Sequence, residues 1–398
     1  MVASLIVMAG GCHGAANGVD LGTDEDLATA AVDLGDDDLS TPVDLTPLVA
    51  KKVDILFMID NSLSTQPKQA ELRAHFGGFA DTLKNAGAMH PASYHIGVVT
   101  SDLGAGTNTS ACKAGGDGAK LQAVASPMAT GVPAACSTFS LGGGVRFIDY
   151  DQVNATDNLG GTDLTTAFSC ISAVGDRGCG FEQPLESVYR ALHDPIPENA
   201  LFLRPDALLV VVYVTDEDDC SAPPNTNLFD PSSSAIAMYG TLHSFRCTQW
   251  GIACGNPSKQ VQPVDSNGPL TMCRPLSPAE GSELIDVQKY INQFTLPAAT
   301  GGVKVDPNDV IVAAMTATVE PFTVTVTMPC ADQVNTASCP ILSHSCVSPT
   351  NNMFFGDPPV RLATVVKSAV TWQMTSICDA GIGAGLDAIA QKILARLN

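Results

Sequence analysis

The chain has 398 residues, 41 acidic against 20 basic side chains for a formal net charge of −21, 45% apolar and 15% charged residues, and 13 cysteines. That much apolar material excludes wholesale disorder and can fill a large core. A chain this acidic, with no basic stripe and no interleaving of basic with aromatic residues, is repelled by a phosphate backbone, which excludes nucleic acid as a partner. Acidity suits cations instead. Thirteen thiols without a CxxC pair argue for a disulfide framework in an oxidising compartment.

In chain order, an apolar run over residues 2–8 leads into Ala9-Gly10-Gly11-Cys12. This resembles the end of a bacterial lipoprotein signal, which implies a signal remnant over 1–12, a lipid on Cys12 and an exported protein held by that lipid at the outer membrane or cell surface, or in the periplasm. The segment departs from a full signal because no Lys or Arg precedes Lys51. Residues 13–51 are an acidic, self-repelling tether: nine acids and no Phe, Tyr or Trp precede Lys51. Residues 52–398 then carry the domain. Strands are predicted over 53–59, 94–100, 207–215 and 310–317, and helices over 67–83, 284–294 and 382–397. Nearly continuous apolar strands alternating with helices predict an α/β fold, a doubly wound, mostly parallel sheet with helices on both faces. No stretch outside the N-terminus reaches the roughly 18 apolar residues of a spanning helix.

Three insertions rich in Gly, Pro, Ser, Thr and Asn are expected at about 103–144, 220–278 and 319–356, stapled by disulfides because they cannot build cores of their own. Twelve cysteines lie at or beyond Cys112. Sequence locality offers Cys112 with Cys136 and Cys170 with Cys179, then the groups Cys220, Cys247, Cys254, Cys273 and Cys330, Cys339, Cys346, Cys378. Spacing leaves the pairing inside each group open.

The first strand runs into Asp60-Asn61-Ser62-Leu63-Ser64, and the strand over 207–215 into Asp216-Glu217-Asp218-Asp219. Carboxyl ends of parallel strands open onto the ligand crevice of such sheets. A carboxylate with two hydroxyls on one loop is a hard-oxygen donor set, suited to Mg²⁺, Mn²⁺ or Ca²⁺. Between these segments, Gly160-Gly161 precedes Thr162 and Thr165, hydroxyls delivered just before a helix expected near Phe168. Asp102 follows the second strand and is expected as a turn residue that could also face the crevice. Glu182 and Glu186 are expected as cap or surface residues. No histidine pair has zinc-ligand spacing, and no nucleophile elbow presents Ser62.

Asp-x-Ser-x-Ser, a threonine after a glycine turn and an aspartate after an apolar strand together resemble the metal-ion-dependent adhesion site of von Willebrand factor A domains. The block from Gly178 to Glu186 is similar to cysteine-rich A-domain lipoproteins of bacteria. The resemblance implies a metal site in which Ser62, Ser64 and either Thr162 or Thr165 are direct hydroxyl ligands, with Asp60 and Asp216 close to the ion and acting through water. The ion expected first is Mg²⁺, with Ca²⁺ or Mn²⁺ as alternatives, and an acidic group of a protein or other ligand would complete its coordination. The sequence departs from the pattern at Thr65 and Glu217. Glu217, Asp218 and Asp219, with Asp102, could form a further cation site or a solvated loop face. The resulting expectation is a binding protein rather than an enzyme; a surface module whose loops are fixed by Ca²⁺, or a metal-dependent enzyme, are the alternatives.

Overall fold

The computed structural model describes residues 51–86, 91–106, 112–263, 265, 268–327, 339–378 and 381–397. Cys12, the acidic segment before Lys51 and Cys330 lie outside the described residues. Strand β1 (Lys51–Ile59) opens the domain, so Lys51 belongs to the sheet and not to the tether. It is followed by α1 (Gln66–Ala86), β2 (Ala92–Thr100), the short β3 (Ile148–Asp151) and β4 (Thr156–Asp157), α2 (Leu164–Ile171), α3 (Pro184–His193) and β5 (Leu208–Val214). The second insertion carries α4 (Ser233–Tyr239), α5 (Phe245–Gly251) and a small sheet of β6 (Ile252–Cys254), β7 (Lys259–Gln260) and β8 (Arg274–Pro275). Then come α6 (Gln288–Thr295) and β9 (Val310–Thr316), and in the third insertion the pairs β10 (Val324–Thr327) with β11 (Cys339–Leu342) and β12 (Cys346–Val347) with β13 (Phe355–Gly356). The chain closes with α7 (Val360–Ser368), β14 (Thr371–Ser376) and α8 (Gly381–Leu397).

Among the described residues, seven strands form the central sheet in the order β14-β9-β5-β1-β2-β3-β4. The first five are mutually parallel, and β3 and β4 add an antiparallel edge. Successive side chains of a strand point to opposite faces, and β1 shows it: Ile55, Phe57 and Ile59 pack on one side with Phe76, Phe79, Phe168 and Leu386, whereas Leu56 and Met58 pack on the other with Leu185, Tyr290 and Leu362. Helices α1, α2 and α8 therefore cover one face and α3, α6 and α7 the other. The chain winds outward from β1 in both directions, which places the switch point, and hence the crevice, at the carboxyl ends of β1 and β5.

Two predicted helix starts differ from the structure. Helix α6 begins at Gln288 and not at residue 284, because Ile285 is tied by its N–H to the Ser221 carbonyl and the Asp286 carboxylate accepts the Gln288 N–H. Helix α2 begins at Leu164, well before Phe168, because Asp163 is its N-cap.

Among the described residues, five disulfides have both partners placed: Cys112–Cys179, Cys136–Cys170, Cys220–Cys247, Cys254–Cys273 and Cys346–Cys378. Cys339 is also disulfide-bonded. The expected pairs Cys112 with Cys136 and Cys170 with Cys179 are thus replaced by a crossed arrangement. The first insertion does not close on itself; it lies across α2 and the loop ahead of α3, so each of its cysteines meets one from that region. Cys136 and Cys170 both sit in the core shared with α1. Replacing the pair, Cys136→Ala/Cys170→Ala, is expected to lower stability by about 2–4 kcal/mol, since the bond closes a loop of separation 34. Urea titration reads the loss, and a change under about 0.5 kcal/mol would contradict a stapling role. Disulfides on this scale suit an exported protein, and no helix among the described residues is long and apolar enough to cross a membrane.

Candidate functional site

Asp60 is the residue after β1 and is completely buried. Its Oδ1 accepts the Ser62 N–H at 2.8 Å and the Ser101 hydroxyl at 3.3 Å, and its Oδ2 accepts the Thr215 hydroxyl at 2.8 Å. One carboxylate thereby ties together the loops after β1, β2 and β5. Thr65 donates its hydroxyl to the Asp60 and Ser62 carbonyls at 2.9 and 2.8 Å and closes the loop into α1. The Ser62 and Ser64 hydroxyls lie 3.2 Å apart. Leu63 between them is 79% exposed, which marks the side on which this loop meets solvent.

Asp216 follows β5 and Thr215. Its Oδ1 is buried with no hydrogen-bond partner, while its Oδ2 receives the Lys68 ammonium. Lys68 stands in the first turn of α1, and its Nζ also donates to the Ser64 carbonyl at 3.2 Å and lies 4.1 Å from the centre of the Phe355 ring. The third insertion crosses the site at this point. Asp357 N–H donates to the Asp216 carbonyl at 2.7 Å, the Asp357 carboxylate lies 2.7 Å from His344 Nδ1, and His344 stacks on Phe355.

The structure does not bring Thr162 or Thr165 to these groups. Thr165 is in the first turn of α2, packed where a Cβ on Gly77 would stand 3.6 Å from its methyl group. Gly77 is three turns into α1, roughly 16 Å along the helix from the end that carries Ser64. Thr162 sits in the turn after edge strand β4, its N–H on the Leu159 carbonyl. The loop that does reach Asp60 is the next one, over residues 174–183. Gly178 lets it in: its N–H donates to the Asn61 carbonyl, and a Cβ there would fall 2.3 Å from Asn61 Oδ1. This loop delivers Glu182, which is 2% exposed and precedes the N-cap Gln183, so it is neither a surface residue nor on one helical face with Glu186. Glu186 is held instead by Lys289 and the Tyr290 hydroxyl.

The remaining acids divide sharply. Asp218 accepts the N–H groups of Arg361 and Leu362 at 3.0 Å, capping the start of α7. Asp219 pairs with Arg361 at 3.1 Å and accepts the Leu185 N–H of α3. Asp102 accepts the Gly104 N–H at 2.8 Å and is a turn residue. These three are therefore engaged in structure, and Asp218 and Asp219 are not a solvated face. Glu217 instead shares a hydrogen bond with Glu182.

Electrostatics set this crevice apart. Burial, then the neighbouring Asp216, pushes the Asp60 carboxyl up to about 6. Burial and then Asp60 raise Glu182 well above the usual range, and burial and then Glu182 do the same for Glu217. Asp357 is raised by burial as well, against the pull of His344. Two buried acids elsewhere are matched by cations: Asp54 by Arg204 at 2.7 Å and Lys304 at 3.9 Å, and Asp219 by Arg361. Here Asp60, Glu182, Asp216, Glu217 and Asp357 face Lys68 and the imidazole of His344. Beside Glu182, Glu217 and Asp357 a cavity of about 60 Å³ extends toward Phe245 and Leu342, ample for several waters.

The donor chemistry fits a hard divalent cation. It offers an orphaned buried carboxylate oxygen on Asp216, two adjacent serine hydroxyls and an excess of buried negative charge. Among the described residues no group of three or more His, Cys, Asp or Glu side chains could hold a metal ion. A search of protein-family models finds no match to the chain, and no curated protein matches it.

Lys68 and Asp357 were not singled out from the sequence, and Glu182 was expected as a cap or surface residue. Glu182 had a usable signal, its place just before the helix-starting Pro184. Lys68 and Asp357 had none, because only folding brings α1 and the third insertion to Asp216.

Proposed function

We propose that residues 52–398 form a von Willebrand factor A-type domain that holds a divalent cation at the carboxyl ends of β1 and β5 and recognises a partner there. A lipid on Cys12 would hold the protein at a bacterial cell envelope, at the outer membrane or cell surface or in the periplasm. The observation that carries the reading is the imbalance of buried charge around Asp216. In this reading Ser62, Ser64 and Asp216 Oδ1 hold the ion. Asp60, whose oxygens are already engaged, positions the loops and acts through water. The ion, Mg²⁺ first and Ca²⁺ or Mn²⁺ otherwise, supplies an electrophilic position for an acidic group of the partner. On this reading Glu182, carried toward Asp60 by the loop over residues 174–183, would offer a carboxyl where the resemblance implies a threonine hydroxyl.

That extra carboxyl, together with the 355–357 segment across Asp216, also supports the second reading, a surface module in which Ca²⁺ fixes the loops. Neither reading requires turnover. Titration calorimetry of the purified protein with Mg²⁺, Mn²⁺ and Ca²⁺ tests both. Saturable binding is expected in the wild type and is expected to be lost in Asp60→Ala/Asp216→Ala with the fold retained by circular dichroism. A folded wild type that takes up none of the three ions defeats both readings. Capture of an acidic peptide only in the loaded state separates the first from the second.

A further inference from the structure

We propose that Lys68 is a tethered counter-cation of this site, an ammonium that pairs with Asp216 in the ion-free protein and must leave that carboxylate before a divalent cation can be held. The inference rests on the cation-binding reading above and goes further by assigning a residue that sets the site's affinity.

Lys68 is 1% exposed, and the Asp216 side chain it meets is completely buried. A lysine is rarely buried unless paired. This one bridges the Asp216 carboxylate and the Ser64 carbonyl, between two of the segments proposed to hold the ion. Two cations cannot share that space at low cost, because their repulsion grows as water is excluded. The arrangement favours exchange over a permanent pair for two reasons. Asp216 keeps its second oxygen buried without a partner, so the ammonium satisfies half of the carboxylate. The lysine also has a flexible four-carbon stem and begins four residues after Ser64, beside a loop whose Leu63 is largely in solvent. An exit path thus lies along the loop.

Lys68 also touches the segment that covers the site. Its ammonium rests on Phe355, Phe355 stacks on His344, His344 meets Asp357, and Asp357 is bonded through its backbone to Asp216. Departure of the ammonium removes the cation–π contact that holds Phe355. Ion uptake would therefore loosen the third insertion where a partner would approach.

The test compares wild type, Lys68→Met and Lys68→Arg as full chains in calorimetric titrations with Mg²⁺, Mn²⁺ and Ca²⁺. Acetylation of Lys68 by acetic anhydride is read in parallel by peptide mass spectrometry, with EDTA or with saturating ion. Lys68→Met is expected to bind its preferred ion at least ten-fold more tightly than wild type, Lys68→Arg to stay close to wild type, and wild-type Lys68 to become several-fold more reactive on loading. Binding by Lys68→Met alone supports the proposal as well. Equal affinity in wild type and Lys68→Met, or a Lys68 that stays protected in the loaded protein, overturns it while leaving the ion site standing. No binding by either folded protein overturns it together with the reading beneath it. Should Lys68→Met fail to fold, the acetylation of wild type decides alone.

Discussion

In EDTA, the thermal midpoint of this protein should fall as the pH is raised from about 4 to 7, and a saturating divalent cation at pH 7 should restore most of the loss. Burial and the neighbouring Asp216 move Asp60 from 3.8 to about 6. Between those values the folded state binds a proton that the unfolded state has released. The associated stability is present in full below the unfolded value and is lost as the pH rises through the folded one. For Asp60 alone this amounts to about 3 kcal/mol, or roughly 5 °C in a domain of this size. Asp218, raised to about 6 by burial despite its bonds to the start of α7, acts in the same sense, as do Glu182 and Glu217. Glu280, held down to about 2 first by its hydrogen bond from Arg274, acts oppositely, and its contribution is lost only as the pH falls toward that value.

The net charge of −21 also favours lower pH, so a control is needed. An Asp60→Asn/Glu182→Gln variant changes the total by two charges but removes two of the five carboxyls crowded at the crevice, and its profile should be visibly flatter. A wild-type midpoint that climbs steadily from pH 4 to 7 in EDTA would contradict the argument. On the proposed reading a bound cation would stabilise the ionised carboxylates that the folded protein otherwise leaves poorly matched.

Arg361→Met should cost about 3–5 kcal/mol in urea titration, the range for breaking a buried pair from one side. Arg361 and Asp219 are both fully buried at their side chains. The guanidinium donates to Asp219 through Nε at 3.1 Å and to the Ile285 carbonyl at 2.7 Å. Asp219 in turn accepts the Leu185 N–H, so the pair links the first turns of α3 and α7 on one face of the sheet. Without Arg361 the carboxylate is left charged and buried. The double variant Arg361→Met/Asp219→Asn should recover a substantial part of the loss, because the stranded charge goes with its partner. A single variant costing under about 1 kcal/mol would overturn the assignment of Asp219 as a structural anchor and return it to the pool of cation ligands.

The contrast between Asp219 and Glu217 shows where reading the chain stops. Two positions apart in one acidic run, they differ in role because Arg361 meets one and Glu182 the other. Nothing in Asp216-Glu217-Asp218-Asp219 distinguishes them. The threonines teach the same lesson. A glycine turn before a helix is a legible pattern, but α2 packs along the middle of α1, and a later loop with a glutamate reaches Asp60. The edge strand β14 escaped notice because its Thr-Trp-Gln-Met-Thr-Ser run is half-exposed and has no apolar signature.

What the chain alone determined was local. Apolar strands flanked by polar turns set the parallel α/β sheet, since short, β-branched apolar runs such as Leu208–Val214, alternating with helices, suit strands covered on both faces. Because each strand's end is a sequence-local event, the carboxylates at the ends of β1 and β5 could be named as neighbours of the crevice. Tertiary structure decided what depends on distant segments meeting. The crossed disulfides, the Lys68 pairing with Asp216, the entry of Glu182 and the Phe355 cover all join residues dozens to hundreds of positions apart. Their charges and thiols find partners only after the layers pack, when burial makes an unmatched carboxylate costly enough to matter.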